Sequence, residues 1–349
     1  MAVTAAPVLV TGASGFIASR IIEQLLAAGY LVRGTVRSLG EDKERDLAPL
    51  RALAGAADRL DLVEADLVAD GSFDSAAAGC EYVIHTASPY VLDTTDPQRD
   101  LVDPAVNGTR NVLGACQRAA TVKRVVLTSS TAAVTDEPDS YHVLTESDWN
   151  EKSSLERNPY YYSKTLAERA AWTFMDERNR TFDLVVINPF LVVGPSIVPG
   201  LNTSNQIFVD LLEGTYPGIV NLTWGFVDVR DVADAHVRAM ETPSARGRYI
   251  CAGETASMRV VVDLLRKNGW GEGHTLPTIG LDNAIGDAIV RLASYLQPKG
   301  VGSYLRTHVG RVPRYDTSEI ERELGLRFRP LDNTILETMS DLKKWGHIR

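Results

Sequence analysis

Short runs of β-branched and apolar residues recur along the first half of the chain, at Val8 to Thr11, Leu31 to Val36, Leu60 to Glu64, Tyr82 to Thr86, Val125 to Thr128 and Leu184 to Ile187. A stretch with helical spacing follows each run. Strands that are apolar on both faces must be covered on both faces. The pattern therefore predicts an α/β fold, a Rossmann-type doubly wound parallel sheet with right-handed crossovers. Regular alternation stops after Asn188, where Pro189, Gly194, Pro195, Pro199 and Gly200 interrupt the chain. We expect a dinucleotide-binding core over residues 1–188 and a smaller C-terminal, mainly substrate-binding lobe over 189–349, some of whose strands and helices return to the core. There the spacing predicts helices over Ser204 to Glu213, Asp231 to Glu241 and Met258 to Lys267, and a strand at Phe226 to Val229. Two amphipathic helices should lie between Ser318 and Trp345, separated by Arg327 to Leu331. The stretch Leu292 to Arg311 fits no motif and reads as a solvated or lid-forming segment.

The first run leads into Gly12, Ser14, Gly15, Phe16 and Ile17 and then an apolar-periodic helix. Gly12 suits a tight turn, Gly15 lets backbone approach a pyrophosphate, and the helix start offers unpaired N–H groups to the anion. Ala18 stands where a third glycine is usual. A strand, a glycine turn and a helix at the head of a βαβ series together point to a nucleotide. Where an NAD enzyme places a carboxylate after its second strand, this chain has Arg37, with Lys43 beyond it. Those cations suit a 2′-phosphate, so the expected cofactor is NADPH/NADP+. Asp66 and Leu67, Thr86, Ala87 and Ser88, and Thr128 fall at the carboxyl ends of strands, where the rest of the dinucleotide should lie. Asp66 fits a helix cap equally well.

The fifth run ends in Thr128-Ser129-Ser130, and some thirty residues on comes Tyr160-Tyr161-Tyr162-Ser163-Lys164. Tyr160 and Lys164 share a helix face. A phenol has an ordinary pKa near 10, and a nearby ammonium brings it toward the working range. A serine hydroxyl at a strand end can polarise a carbonyl, which completes an acid/base set. Spacing leaves Tyr161 open as well, since it lies three residues from Lys164. His85, in a strand, and His236, in a helix, read as satisfied core histidines. Asn107 is a candidate for a hydrogen bond near the site.

Charge and cysteine usage narrow the partners. A net charge of -9 argues against nucleic acid. Cys80, Cys116 and Cys251 are far apart, so neither a disulfide framework nor a metal site is expected, and Cys80 and Cys251 read as small apolar fillers. No apolar run approaches the roughly 20 residues that span a bilayer. The expectation is a cytoplasmic monomer or homodimer acting on a small-molecule carbonyl substrate.

The chain resembles the extended short-chain dehydrogenases, in the group of dihydroflavonol reductase, cinnamoyl-CoA reductase and yeast methylglyoxal or carbonyl reductase. The matching stretches are Val10 to Ala18, Arg37 with Lys43, His85 to Pro89, Pro104 to Thr109, Val125 to Ser130 and Phe226 to Val232. The resemblance implies a catalytic set of Ser130, Tyr160 and Lys164, a structural Ser129, and cofactor contacts from Pro189, Val192 and Ser204. Cinnamoyl-CoA reductases carry Asn-Trp-Tyr-Cys-Tyr-Gly-Lys where this chain has Asn158 to Lys164, and only four of those seven positions agree. Where dihydroflavonol reductases place an asparagine, this chain has Thr135. The segment His85 to Arg99 most resembles the fungal carbonyl reductases, which implies small or aromatic aldehydes and ketones as substrates. Tyr90, Thr131, Phe190, Leu191 and Trp224 are then candidate apolar walls. Flavonoid or acyl-CoA reduction, a nucleotide-sugar epimerase and a non-catalytic NADPH-binding module are the competing readings.

Overall fold

In the computed structural model, residues 5–40, 43–88, 94–177 and 180–349 are described. Seven parallel strands form the central sheet, in the order Gly247–Cys251, Asp183–Pro189, Arg124–Thr128, Tyr82–His85, Val8–Thr11, Val32–Val36 and Leu60–Glu64. Val8 pairs with Val32 on one side and with Tyr82 on the other, so strand order reverses beside the first strand. In an open α/β sheet that reversal opens a crevice at the carboxyl ends of the strands.

The central strands are apolar on both faces because both are covered. On one face Ile21, Ile22, Leu25 and Leu26 of the helix Phe16–Ala27 pack with Val232, Ala233 and Ala235 of Val229–Glu241. On the other, Val112, Leu113, Ala115 and Cys116 of Asp103–Ala119 pack with Ala171 of Pro159–Asp176. Cys80, Cys116 and Cys251 are buried free thiols.

The seventh strand, Gly247–Cys251, lies outside the runs that periodicity picks out. Arg248 interrupts its apolar pattern, and only tertiary pairing with the buried Glu168 at 2.6 Å accommodates that charge. Val229 opens a helix instead of closing a strand, since the Asp228 side chain accepts from Arg230 N at 2.8 Å as an N-cap. The strand before it, Thr223–Asp228, joins Leu191–Val193 and Thr255–Ser257 in a small separate sheet. That sheet backs a second core of Phe208, Trp224, Phe226, Met258, Ile335 and Met339.

The tail forms the helices Ser318–Glu323 and Leu331–Lys344. Leu292 to Arg311, unplaced by motif, belongs to the helices Ala284–Ala293 and Lys299–His308 and their connections. The second of these docks on the start of Pro159–Asp176: Asn158 N donates to Ser303 Oγ at 3.1 Å, and Asn158 Nδ2 donates to Thr307 Oγ1 at 3.1 Å. Among the described residues no helix is long and apolar enough to cross a membrane.

Candidate active site

Gly12 has a φ of +71°, in the left-handed region that favours glycine. A Cβ there would stand 3.2 Å from Ala87, so turn and fourth strand meet through the missing side chain. Gly12 N donates to Thr35 Oγ1 at 3.1 Å, and Gly15 N to the Gly12 carbonyl at 2.8 Å. The helix Phe16–Ala27 then begins with no side-chain cap. Ser14 and Gly15 are exposed, Phe16 and Ile17 partly so. An uncapped helix start at the strand-order reversal is a place where an anion can take the unpaired N–H groups.

Thr11 braces the neighbouring strand end. Its hydroxyl accepts from Thr86 N at 3.1 Å and Ala87 N at 3.0 Å and lies 2.8 Å from His85 Nδ1. With two N–H groups already donating to the oxygen, the hydroxyl proton goes to Nδ1. The imidazole is therefore neutral. Burial, with Lys164 adding to it, lowers the His85 pKa to about 3. His236 is likewise a core group: Nδ1 donates to the Val232 carbonyl at 2.7 Å, and Nε2 accepts from Thr128 Oγ1 at 2.7 Å.

Lys164 is the centre of the site. The helix Pro159–Asp176 buries it, and its ammonium donates to Ser88 Oγ at 3.0 Å and stands 5.9 Å from the centroid of the Tyr160 ring. Burial lowers its pKa to about 8, with Glu168 one turn further on opposing the fall. Tyr161 turns to a different group of rings, 6.4 Å from Tyr304 and 5.6 Å from His308. The Ser130 hydroxyl accepts from Ala132 N at 3.1 Å and reaches the Pro189 carbonyl only at 3.5 Å. Ser129 instead donates to buried Glu168 at 2.5 Å.

The remaining expected residues divide. Arg37 and Lys43 are exposed beyond the second strand. The Asp66 carboxylate accepts from Val68 N at 3.1 Å and so holds its own turn, while Leu67 packs on Gly108. Val192 is buried, and Ser204 stands in the first turn of Thr203–Leu212, half-buried. Thr131 is hydrogen-bonded to Tyr315, whose ring meets Phe190 edge-on at 5.4 Å. Leu191 packs against the lobe core. Trp224 needs correcting: it is 2% exposed and edge-on to Phe226 at 5.9 Å, so it fills the lobe interior and does not line a pocket. Tyr90 lies outside the described residues. Asn107 is exposed. Sequence reasoning missed Glu168, Asn188 and Arg248. The available signal was a carboxylate four residues beyond Lys164, on its own helix face.

Residues 8–252 match the model of the NAD dependent epimerase/dehydratase family. Over 97% of this chain and 95% of the relative, the sequence is 41% identical to a cinnamoyl-CoA reductase of Medicago truncatula. It is 38% identical to tetraketide alpha-pyrone reductase 1 of Arabidopsis thaliana, over 98% and 96% of the two chains. The solved structure of yeast methylglyoxal/isovaleraldehyde reductase Gre2, complexed with NADPH, superposes with a TM-score of 0.81 at 32% identity, covering 98% of this chain and 100% of that one. With a family match over most of its length, full-length relatives above the 30% level and the strand order of a dinucleotide-binding sheet, the chain belongs to the NAD dependent epimerase/dehydratase family, among its reductase members.

Proposed function

We propose that this protein reduces the carbonyl of small or aromatic aldehydes and ketones to alcohols with NADPH, Tyr160 giving the proton. The observation that carries the reading is the buried Lys164, held between Ser88 and Tyr160 beside the crevice of a dinucleotide-binding sheet. The chain is an NADP-dependent oxidoreductase, like the relatives it matches. The residues present fit that cofactor: the Gly12 turn admits no side chain against Ala87, and the helix after Gly15 has no cap of its own. Gly12, Ser14, Gly15, Phe16 and Ile17 would hold the pyrophosphate, Arg37 and Lys43 the 2′-phosphate, and Thr86, Ala87, Ser88, Pro189, Val192 and Ser204 the nicotinamide half. Bound there, NADPH supplies the hydride that reaches the carbonyl carbon.

The chain's own groups handle the oxygen. The Ser130 hydroxyl donates a hydrogen bond to the carbonyl oxygen, and the Tyr160 hydroxyl passes its proton to that oxygen as the hydride arrives. Lys164, as ammonium, stabilises the phenolate left behind. Ser129 is unavailable for this role because its hydroxyl serves Glu168.

Free carbonyls are favoured over acyl-CoA thioesters by the helix Thr203–Leu212. The resemblance to cinnamoyl-CoA reductases, aligned through Asn202 and Ser204, implies that Ile207 and Asp210 take the positions where that group presents a histidine and a lysine toward CoA. Ile207 packs on the lobe core, and Asp210 Oδ1 accepts from Gln206 Nε2 at 2.9 Å. Neither offers a cation to a phosphate. The 41% identity to a cinnamoyl-CoA reductase favours the second reading, a thioester reductase. Steady-state rates with a cinnamoyl-CoA thioester and with free cinnamaldehyde decide between them. A higher catalytic efficiency with the aldehyde is expected, and the reverse would overturn the substrate assignment alone.

A further inference from the structure

Behind the proposed acid/base set lies a fully buried carboxylate. Glu168 sits one helical turn after Lys164, and its side chain has no solvent exposure. Oε2 accepts from Ser129 Oγ at 2.5 Å and from Asn188 Nδ2 at 2.8 Å. Oε1 accepts from Arg248 Nε at 2.6 Å and from Trp172 Nε1 at 3.3 Å. Asn188 Nδ2 also donates to the Ser130 carbonyl at 3.1 Å. Arg248 is fixed in turn, with its guanidinium 3.9 Å from the Trp149 ring centroid and Nη1 donating to the carbonyls of Glu146 at 2.8 Å and Asp148 at 2.7 Å.

We infer that Glu168 is a positioning residue that locks the Ser130 peptide, on the sheet, to the helix that carries Tyr160 and Lys164. One carboxylate oxygen grips the residue before Ser130 and the amide that holds the Ser130 carbonyl, so Ser130 is fixed from both sides. The other oxygen anchors the same helix to the edge strand through Arg248. Without this clamp the serine and the helix would each keep their fold but not their mutual registry, and a displacement of about 1 Å can cost on the order of a hundredfold in rate.

Glu168 has a second effect on the same site, because a carboxylate one turn away favours the ammonium form of Lys164 against the cost of burial. Among the described residues the other groups bearing on this lysine are Tyr160 on its own helix and the neutral His85 on the neighbouring strand. Arg248 lies behind Glu168, so removing the carboxylate would leave its positive charge uncompensated and push Lys164 further toward the amine.

The inference rests on the proposed roles of Ser130, Tyr160 and Lys164, and the test separates the two. In Glu168→Gln, kcat for a free aldehyde should fall at least about tenfold, with the NADPH Kd unchanged. The alkaline limb of kcat should move to lower pH by about half a unit or more. Glu168→Asp keeps the charge but shortens the reach, so it should lower kcat while leaving the limb in place. Below the alkaline limb, the double variant Glu168→Gln/Ser130→Ala should be less slow than the product of the two single effects, since part of the Glu168 effect acts through the Ser130 hydroxyl. If Glu168→Gln does not fold, Ser129→Ala removes one clamp contact and should still lower kcat several-fold without changing NADPH binding. A wild-type kcat and limb in Glu168→Gln, or in its absence a wild-type kcat in Ser129→Ala, overturns the inference. An active Tyr160→Phe would instead overturn the reading on which it rests.

Discussion

At the scale of single residues, neighbours in sequence are given different work by their surroundings. Tyr160 and Tyr161 are adjacent and both lie within helical reach of Lys164, yet one stands beside the ammonium and the other packs at a tilt against Tyr304 and His308. Tyr160→Phe should lower turnover by roughly 10²-fold or more while NADPH still binds, because on the proposed mechanism only the transferable proton is lost. Tyr161→Phe should be mild. Stopped-flow turnover with fluorescence titration of NADPH checks both, and reversed effects would move the acid to Tyr161. Arg37 is exposed, and its proposed charge-assisted contact to the 2′-phosphate should be worth about 1.5–3 kcal/mol, or roughly tenfold to a hundredfold in coenzyme preference. Arg37→Ala should therefore lose NADPH efficiency relative to NADH. An unchanged ratio would place the 2′-phosphate elsewhere. Lys164 adds a pH dependence: the ammonium is present below about 8 and lost above it. Reduction should decline on that alkaline side, as a pH–rate profile would record.

At the scale of elements, the start of the helix Pro159–Asp176 depends on a distant segment. Asn158 precedes it with φ 48°, a left-handed conformation that asparagine tolerates better than most residues. Its backbone N–H and side chain both bond to the helix Lys299–His308. A reading of the sequence could place that stretch only as solvated or a lid. In the folded chain Ser303, Thr307 and His308 are buried and form the seat of the helix bearing Tyr160. Asn158→Ala loses one of those bonds and strains the turn, so it should lower stability by about 1–3 kcal/mol, read as a fall in the urea midpoint. A variant as stable as the parent would mean the seat contributes nothing to the helix.

At the scale of the whole molecule, three buried histidines make stability sensitive to acid. Burial lowers His85 and His308 to about 3 and His236 to about 4, from an ordinary value of 6.5. The unfolded chain takes up these protons near 6.5, whereas the folded one resists them. Their contribution is therefore complete above that pH and is lost as pH falls toward the folded values. Each fully engaged histidine gives a slope of about 1.4 kcal/mol per pH unit. Urea midpoints measured between pH 7 and pH 4.5 should fall steeply below 6.5, and a flat profile would mean that none of these imidazoles resists protonation in the fold.

The sequence by itself determined the doubly wound sheet, the glycine turn and the Tyr160/Lys164 pair. Each of these is written in local pattern: short continuous apolar runs mark strands covered on both faces, helices repeat near 3.6, and a turn with positive φ needs glycine. The short β-branched runs agree with six of the seven sheet strands to within a residue or two. What only the tertiary structure decided are features whose partners lie far apart in the chain. Arg248 hides the seventh strand until Glu168, 80 residues away, neutralises it. Trp224 resembles a pocket wall until Phe226 and the lobe core surround it. Ser129 and Ser130 are adjacent in the extended chain just past the strand, yet the buried Glu168 claims the first hydroxyl while the second accepts from Ala132 N. Local pattern records what a segment prefers, and the partner that meets a buried charge or ring is supplied only when the chain folds back on itself.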